Sequence, residues 1–471
     1  MVDVAVIGGG TAGLTAALAA RHAGATVSLV EREARLGGDC TFYGCVPSKT
    51  LVSLARVAHQ ARLAADAGVL DAAPKVVFSR VGAVRDATVA RIAEDEQDER
   101  FQRLGIEVIH GSAALTGRNE LDVDTRPVRF RRLVVATGSE PALPDLPGIG
   151  ELCLTNRTIF RLERLPARLL VLGGGATGIE LAQAFARFGS EVTIVESTER
   201  LLPGEEPEAG ELLAETLAAE GVDLRLATTA TGVARREGGV ALELPKGRLE
   251  GDELLVATGQ QPVIQGFGLD RLGLSSLQID GRAETKLDGV FACGDVTGGL
   301  QFTHVASHEG VVAGRNAAGK RARLDERVVP SVIYTDPEIA RVGLTERGAL
   351  ERHDGVEALW LPMSRVDRAR ITGREAGFVK LVTARRRLVG RLGGGELVGA
   401  TIVGEGAGEL IHECALAMRT RAFAGRLAQT IHAYPSLSLG VQQAAAQLSS
   451  LGRLLAEGGE RRRHPPGKEQ T

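Results

Sequence analysis

Aromatic side chains are scarce in this chain: one Trp, three Tyr and twelve Phe make up 3% of 471 residues. That leaves little material for a base-stacking platform. Charge is balanced, with 56 basic and 59 acidic residues and a net charge of -3, so no field draws the chain to nucleic acid or a membrane surface. Cysteines are few: Cys40, Cys45, Cys153, Cys293 and Cys414. An odd, sparse set in a long chain excludes a secreted disulfide framework and fits a reducing compartment, the cytoplasm by default. Neither a signal peptide nor a transmembrane helix is expected. Met1-Val2-Asp3 brings no basic n-region, and the first apolar stretch is broken by Asp3, three glycines and Arg21. Neither a nucleic-acid partner nor a membrane is expected.

Glycine, by contrast, is abundant, with 60 residues. The length exceeds what one core supports, so about three domains are expected. Val4 to Ile7 reads as a buried strand. Gly8-Gly9-Gly10-Thr11-Ala12-Gly13 then turns into an Ala/Leu-rich helix through Ala23, and Val27 to Val30 is the next strand, ending at Glu31. This is a dinucleotide fingerprint in its full context. Gly8, Gly10 and Gly13 let backbone approach a pyrophosphate at a helix N-terminus, and Glu31 can accept from a ribose diol.

The unit recurs with identical spacing. Leu169 to Leu172 is followed by Gly173-Gly174-Gly175-Ala176-Thr177-Gly178, a helix through Phe188, and the strand Val192 to Val195 ending at Glu196. A second echo pairs Val134-Val135-Ala136-Thr137-Gly138 with Leu255-Val256-Ala257-Thr258-Gly259, each closing a nucleotide-binding lobe. Near Val290, the run Ala292-Cys293-Gly294-Asp295 puts an acid after a strand and a glycine, within reach of a polyol. Two such lobes imply two dinucleotides, one held and one exchanged. Pro141 to Pro147 is a proline-rich linker. After Pro330 the texture changes: Val332 to Thr335, Phe378 to Val382 and Leu397 to Val403 read as antiparallel strands and Gly406 to Arg419 as a helix. The end, with Arg461-Arg462-Arg463-His464, reads as a disordered tail.

The strongest chemical signal is Gly37-Gly38-Asp39-Cys40-Thr41-Phe42-Tyr43-Gly44-Cys45-Val46-Pro47-Ser48-Lys49, a closely spaced cysteine pair just after the first nucleotide unit. The apolar period from Leu51 to Val57 places the pair at the start of a helix, where a thiol pKa should fall. A dithiol in such a place can pass two electrons to a thiol, disulfide or soft metal. The remaining cysteines lack partners at useful spacing and read as core.

These residues resemble the class I pyridine nucleotide–disulfide oxidoreductases, which include dihydrolipoamide dehydrogenase, glutathione reductase and mercuric reductase. The resemblance covers nearly the whole chain, including Thr335-Asp336-Pro337-Glu338 and Gly399 to Gly404. It implies an α/β fold of two Rossmann-like domains and a C-terminal α+β dimerisation domain. The expected parts are an FAD-binding part (1–148), an NAD(P)-binding domain (149–265), a central part (266–329), a dimerisation domain (330–457) and a tail (458–471). FAD is expected in the first site, NADH or NADPH in the second, and a homodimer. By similarity, Cys40 is the interchange thiol and Cys45 the thiol beside the flavin, while Lys49 and Glu180 form an ion pair at the flavin ring. Gly38, Ala113, Thr137, Gly138, Ser139 and Asp295 are expected around the FAD, and Gln301, Phe302, Thr303 and His304 along its ring. Gly173, Gly175, Gly178 and Gly259 are expected at the nicotinamide dinucleotide. Glu196 favours NADH, but Arg200 is close enough in sequence to take a 2′-phosphate.

The chain departs from thiol-using members at His432-Ala433-Tyr434-Pro435-Ser436-Leu437-Ser438-Leu439. Tyr434 stands where those members carry a histidine base, and Leu439 where they carry its glutamate. A tyrosine of ordinary pKa, about 10, is a poor base at neutral pH, and His432 shows no acid partner in the sequence. Mercuric reductase also lacks that pair, and Leu181 to Arg187 resembles that branch, but no cysteine follows Cys414 to form a metal-delivering terminal pair. The expected function is therefore electron transfer from NAD(P)H through FAD to a soft metal such as Hg(II), held transiently at Cys40 and Cys45, or to a small electrophile; no resident metal is expected. The rivals are a dihydrolipoamide dehydrogenase or other disulfide reductase, a diaphorase acting on quinones, and a non-catalytic redox sensor.

Overall fold

The computed structural model describes residues 1–386, 390, 392–449 and 459–463. The chain forms two compact units. The first comprises Met1–Gly173, Arg187–Glu191 and Ala230–Glu326; the second comprises Gly174–Ala186, Val192–Thr229 and Arg327–Thr471.

In the first unit, the strand Val2–Ile7 lies between Val27–Glu31 and Arg126–Val135, all parallel, with Ile106–His110 outside Val27–Glu31 and Val290–Ala292 also parallel to Arg126–Val135. Their Val- and Leu-rich runs suit strands covered on both faces: Val4, Val6, Leu29 and Val134 are fully buried. Each such side chain stabilises the fold by roughly 1.5–3 kcal/mol. On one face the helix Thr11–His22 packs on the helix Thr303–Ala317. Small residues permit the close crossing, since a Cβ on Gly310 or Gly314 would meet the Ala12 or Ala16 carbonyl oxygen at 2.5 and 2.1 Å. Arg168–Leu172 pairs parallel with Glu253–Val256, and an antiparallel set Gly232–Arg236, Gly239–Glu243 and Arg248–Gly251 follows.

In the second unit, Glu191–Val195 pairs parallel with Asp223–Arg225. The C-terminal part is an antiparallel sheet in the order Pro330–Ile333, Glu338–Gly343, Glu396–Gly404, Phe378–Ala384, Glu357–Pro362, Glu460–Arg463. The helix Ala407–Arg419 covers it through Ala407, Ile411 and Cys414. The architecture is thus the mixed α/β class with a C-terminal α+β portion.

Two local expectations are corrected. The strand expected to reach Thr335 ends at Ile333, because the next amides turn away: Tyr334 N donates to Glu180 and Asp336 N to Gln183 Oε1. Within the segment expected to be a disordered tail, Glu460–Arg463 is a strand paired with Glu357–Trp360 and anchored by Arg461 on buried Glu357 at 2.6 Å; residues 458 and 464–471 lie outside the described residues. Among the described residues, no helix is long and apolar enough to cross a membrane.

Candidate active site

The first glycine turn is shaped by close backbone contact. Gly8 has φ +107°, and a Cβ there would sit 2.2 Å from the Ala136 carbonyl oxygen. Gly10 faces Gly38 so closely that a Cβ on Gly38 would lie 2.7 Å from the Gly10 Cα. Gly13 opens the helix against the Gly8 carbonyl. Glu31 Oε2 accepts the Gly9 N–H at 2.6 Å and its Oε1 accepts from Glu33 N at 2.7 Å. This cradle fits the pyrophosphate and ribose of a dinucleotide such as FAD. Around it, Ser139 Oγ donates to Asp295 Oδ2 at 2.7 Å, and Gly294 N donates to buried Glu309 at 2.6 Å. Thr137 Oγ1 donates to the Val263 carbonyl, and its sequence echo Thr258 donates to that of Ala142. Gly138 is left-handed with open space at its Cβ position, and Ala113 begins the strand Ala113–Gly117.

The dithiol sits between two helix starts. Cys45 is the first residue of the helix Cys45–Asp66, which also carries Lys49, and Cys40 lies in the short helix Gly38–Phe42. Both are thiols not joined in a disulfide, Cys45 exposed and Cys40 half-buried. Thr303, first residue of the helix Thr303–Ala317, places Oγ1 3.3 Å from Cys40 Sγ and 3.5 Å from Cys45 Sγ. The expected lowering of the thiol pKa fails at Cys40. Its hydrogen bond to Cys45, then burial, push it up, and only Cys45 opens a long helix. Thr303, expected along a flavin ring, touches both sulfurs. Phe302 and His304 stack on each other at 5.3 Å, and Gln301 is exposed before them.

Sequence reasoning missed the residues that hold this loop. Arg157 donates to Asp39 at 2.6 Å and lies over the Tyr43 ring at 5.3 Å; Asn156 donates to the Tyr43 carbonyl and Gln260 donates to Asn156. Burial raises the Asp39 carboxyl and Arg157 opposes the shift. An acid directly before Cys40 was the visible signal, but nothing in the sequence links it to a residue more than a hundred positions away.

The second glycine turn repeats the first. A Cβ on Gly173 would meet the Ala257 carbonyl oxygen at 2.5 Å, just as Gly8 meets Ala136. Gly175 has open space at its Cβ position and Gly178 is buried in the helix Ala176–Phe188. Gly259, with φ +126°, also faces open space. Glu196 Oε2 accepts from Gly174 N at 2.6 Å and Oε1 from Thr198 N at 2.7 Å. Burial works against this carboxylate, but those N–H donors outweigh it and hold its pKa low. The Arg200 guanidinium donates to the Pro203 and Glu205 carbonyls with two of its five N–H groups. Glu180 is buried and accepts from Tyr334 N at 2.8 Å.

Tyr434 is exposed, and its hydroxyl donates to Asp367 at 3.2 Å; that hydrogen bond raises the phenol pKa, so the phenolate that could act as a base is even scarcer near neutral pH. His432 does have an acid partner: its Nε2 lies 3.0 Å from Glu413 Oε1, and its Nδ1 lies 2.9 Å from the Thr430 carbonyl. The helix Ala407–Arg419 supplies Glu413, too far in sequence for the motif to show it. Of the cysteines expected in the core, Cys293 and Cys414 are buried, but Cys153 is half-exposed because its loop lies at the surface, with Sγ donating to the Gly150 carbonyl.

The chain matches the profile of the pyridine nucleotide-disulphide oxidoreductases over residues 2–310 and that of their dimerisation domain over residues 329–445. A dihydrolipoyl dehydrogenase of Thermus scotoductus is 37% identical over 458 residues, covering 95% of this chain and 97% of that one. A mercuric reductase of Shigella flexneri is 35% identical over 463 residues, covering 94% and 80%. Among solved structures, the Cu(II) complex of the HOCl-induced flavoprotein disulfide reductase RclA from Escherichia coli superposes with TM-score 0.83 at 28% identity, covering 93% of this chain and 98% of that one. LpdA from Mycobacterium tuberculosis gives TM-score 0.84 at 30% identity, covering 95% and 100%.

Proposed function

Because the chain belongs to the pyridine nucleotide-disulphide oxidoreductase family, we propose that it is an FAD-dependent NAD(P)H oxidoreductase that reduces a soft metal ion such as Hg(II), or a small electrophile, at Cys40 and Cys45. The observation that carries this reading is an accessible dithiol, together with a phenol, Tyr434, that donates to Asp367 and stands at the sequence position where thiol-using members carry a base. A divalent soft cation needs thiolates rather than a proton relay. Cys40 and Cys45 lose their two protons to solvent as they ligate it, giving a neutral bis-thiolate site. When bound, the flavin supplies a two-electron path from the nicotinamide to that site. By resemblance, Lys49 would hold negative charge at the ring and Glu180 would orient it. The mercuric reductase relative and the Cu(II)-bound RclA support a metal substrate.

The test is anaerobic titration with NADH and then Hg(II), followed by visible absorbance. The expected result is a long-wavelength band that Hg(II) discharges with turnover, and loss of that turnover in Cys40→Ser. A band that forms while Hg(II) only inhibits would overturn the metal assignment.

The pairing of His432 with Glu413 favours a second reading, reduction of an organic disulfide. Lipoamide turnover that survives Tyr434→Phe and is lost in His432→Ala would establish it. Activity on quinones unharmed by Cys40→Ser would point instead to a diaphorase.

The dimerisation-domain match supports a homodimer. Exposed Ile371, Leu416, Ile431 and Tyr434 on that part of the chain are the apolar side chains a second copy would cover.

A further inference from the structure

We propose that Thr303 is a catalytic residue of the dithiol: its hydroxyl directs its one proton to whichever of Cys40 Sγ and Cys45 Sγ carries the negative charge. Two distances support this, 3.3 Å to Cys40 and 3.5 Å to Cys45, both within hydrogen-bond range for sulfur. A threonine hydroxyl has one proton and two lone pairs. It can accept from one thiol while donating to the other sulfur, but it cannot donate to both at once. The arrangement S–H···O–H···S⁻ therefore holds a single charge and can invert without a base, the proton of one thiol passing to oxygen as the hydroxyl proton passes to the other sulfur.

The surroundings reinforce this role. Thr303 opens a 15-residue helix and Cys45 opens a 22-residue one. Two helix N-termini, each carrying partial positive charge, thus lie at the sulfurs. The need is also on the page. Cys40 must ionise to attack or to ligate, yet burial and Cys45 hold its proton on, with Thr303 acting in the opposite direction. Tyr434 cannot serve as the base. A donor within reach of both sulfurs favours ionisation of either one, beside the direct hydrogen bond between the two thiols.

This inference rests on the dithiol reading above but not on the identity of the acceptor. The experiment uses reduced holoprotein and reads the pH profile of iodoacetamide alkylation at Cys40 and Cys45 by mass spectrometry, for wild type, Thr303→Val, Thr303→Ala and Thr303→Ser. Thr303→Val keeps the volume and removes the hydroxyl. The expected result is a Cys40 midpoint moved up by about one pH unit, with alkylation near neutrality about tenfold slower. Thr303→Ala should match it, Thr303→Ser should return to within about twofold of wild type, and the flavin absorbance of the oxidised protein should be unchanged throughout, showing that the cofactor is retained. A wild-type profile in Thr303→Val and Thr303→Ala would overturn the proposal. So would Thr303→Ser behaving like Thr303→Val, because the methyl contact would then be the feature that matters. Failure to reduce Hg(II) with this pattern intact would remove the metal assignment and leave Thr303 in its role.

Discussion

Glu196 holds the Gly174 N–H at 2.6 Å, the same clamp that Glu31 applies to Gly9 in the other lobe. A carboxylate so fixed keeps lone pairs for a ribose diol and repels a 2′-phosphate. Arg200, the next cation along the chain, places two of its five donors on carbonyl oxygens. The kcat/KM for NADH should exceed that for NADPH by at least about tenfold, and Glu196→Ser should narrow the ratio mainly by weakening NADH. Steady-state kinetics with both nucleotides checks this.

With Tyr434 and Leu439 standing where thiol-using members carry a histidine and a glutamate, turnover of organic disulfides is expected to be weak. Installing both members of a relay, Tyr434→His with Leu439→Glu, should raise lipoamide reduction by about 100-fold over wild type, the lower end of general-base effects. Either change alone should give far less, because an unoriented histidine or an isolated glutamate does not complete the pair. The four variants compared at fixed NADH test the coupling.

Glu309 should make the fold less stable as pH rises. It is 4% exposed, and burial pushes its carboxyl up to about 7, with Glu326 and Asp295 adding to the shift. The folded protein therefore binds more protons than the unfolded chain between the ordinary carboxyl value of 4.5 and about 7. Its contribution to stability is fully present below that window and falls as pH rises through it, by roughly 3 kcal/mol in total. Thermal midpoints from pH 5 to 8.5 should fall across this range in wild type and stay flatter in Glu309→Gln. Parallel curves would show that no buried proton is involved.

Lys380 is the centre of a buried charge cluster, 3.0 Å from Glu206, 3.0 Å from Glu208 and 2.7 Å from Glu346. Burial works against its charge, but these carboxylates outweigh it and raise its pKa. Lys380→Met should destabilise by about 3–5 kcal/mol, because it leaves Glu206 and Glu346 buried without their cation. Urea unfolding measures this. A triple change that also replaces Glu206 and Glu346 by Gln should recover part of the loss.

Local rules carried the nucleotide lobes. Strand, glycine turn, helix and terminal acid lie within one short window, and Glu31 and Glu196 fall where that window places them. The cysteine run was legible for the same reason. What escaped were partners brought together from distant segments: Arg157 on Asp39, Glu413 on His432, and Thr303 between the sulfurs. Thr303 was named for the flavin ring, but its contact with the sulfurs was not foreseen, since sequence order says which residues follow a helix start and not which atoms it faces. The Cys40 shift escaped because helix position alone predicted its sign, whereas the neighbouring thiol and burial decide it.

The strand Glu460–Arg463 occupies the outer edge of the six-stranded sheet, on Glu357–Pro362. A chain cut before Glu460 would bare a row of unpaired amides and carbonyls flanked by Leu359 and Leu361, both buried in the intact fold. Bare edges of this kind recruit strands from other molecules. Glu460–Arg463 puts a short strand rich in charge outside this apolar one, and shortening the chain there is expected to promote self-association and lower the yield of well-behaved protein with every reactive group intact.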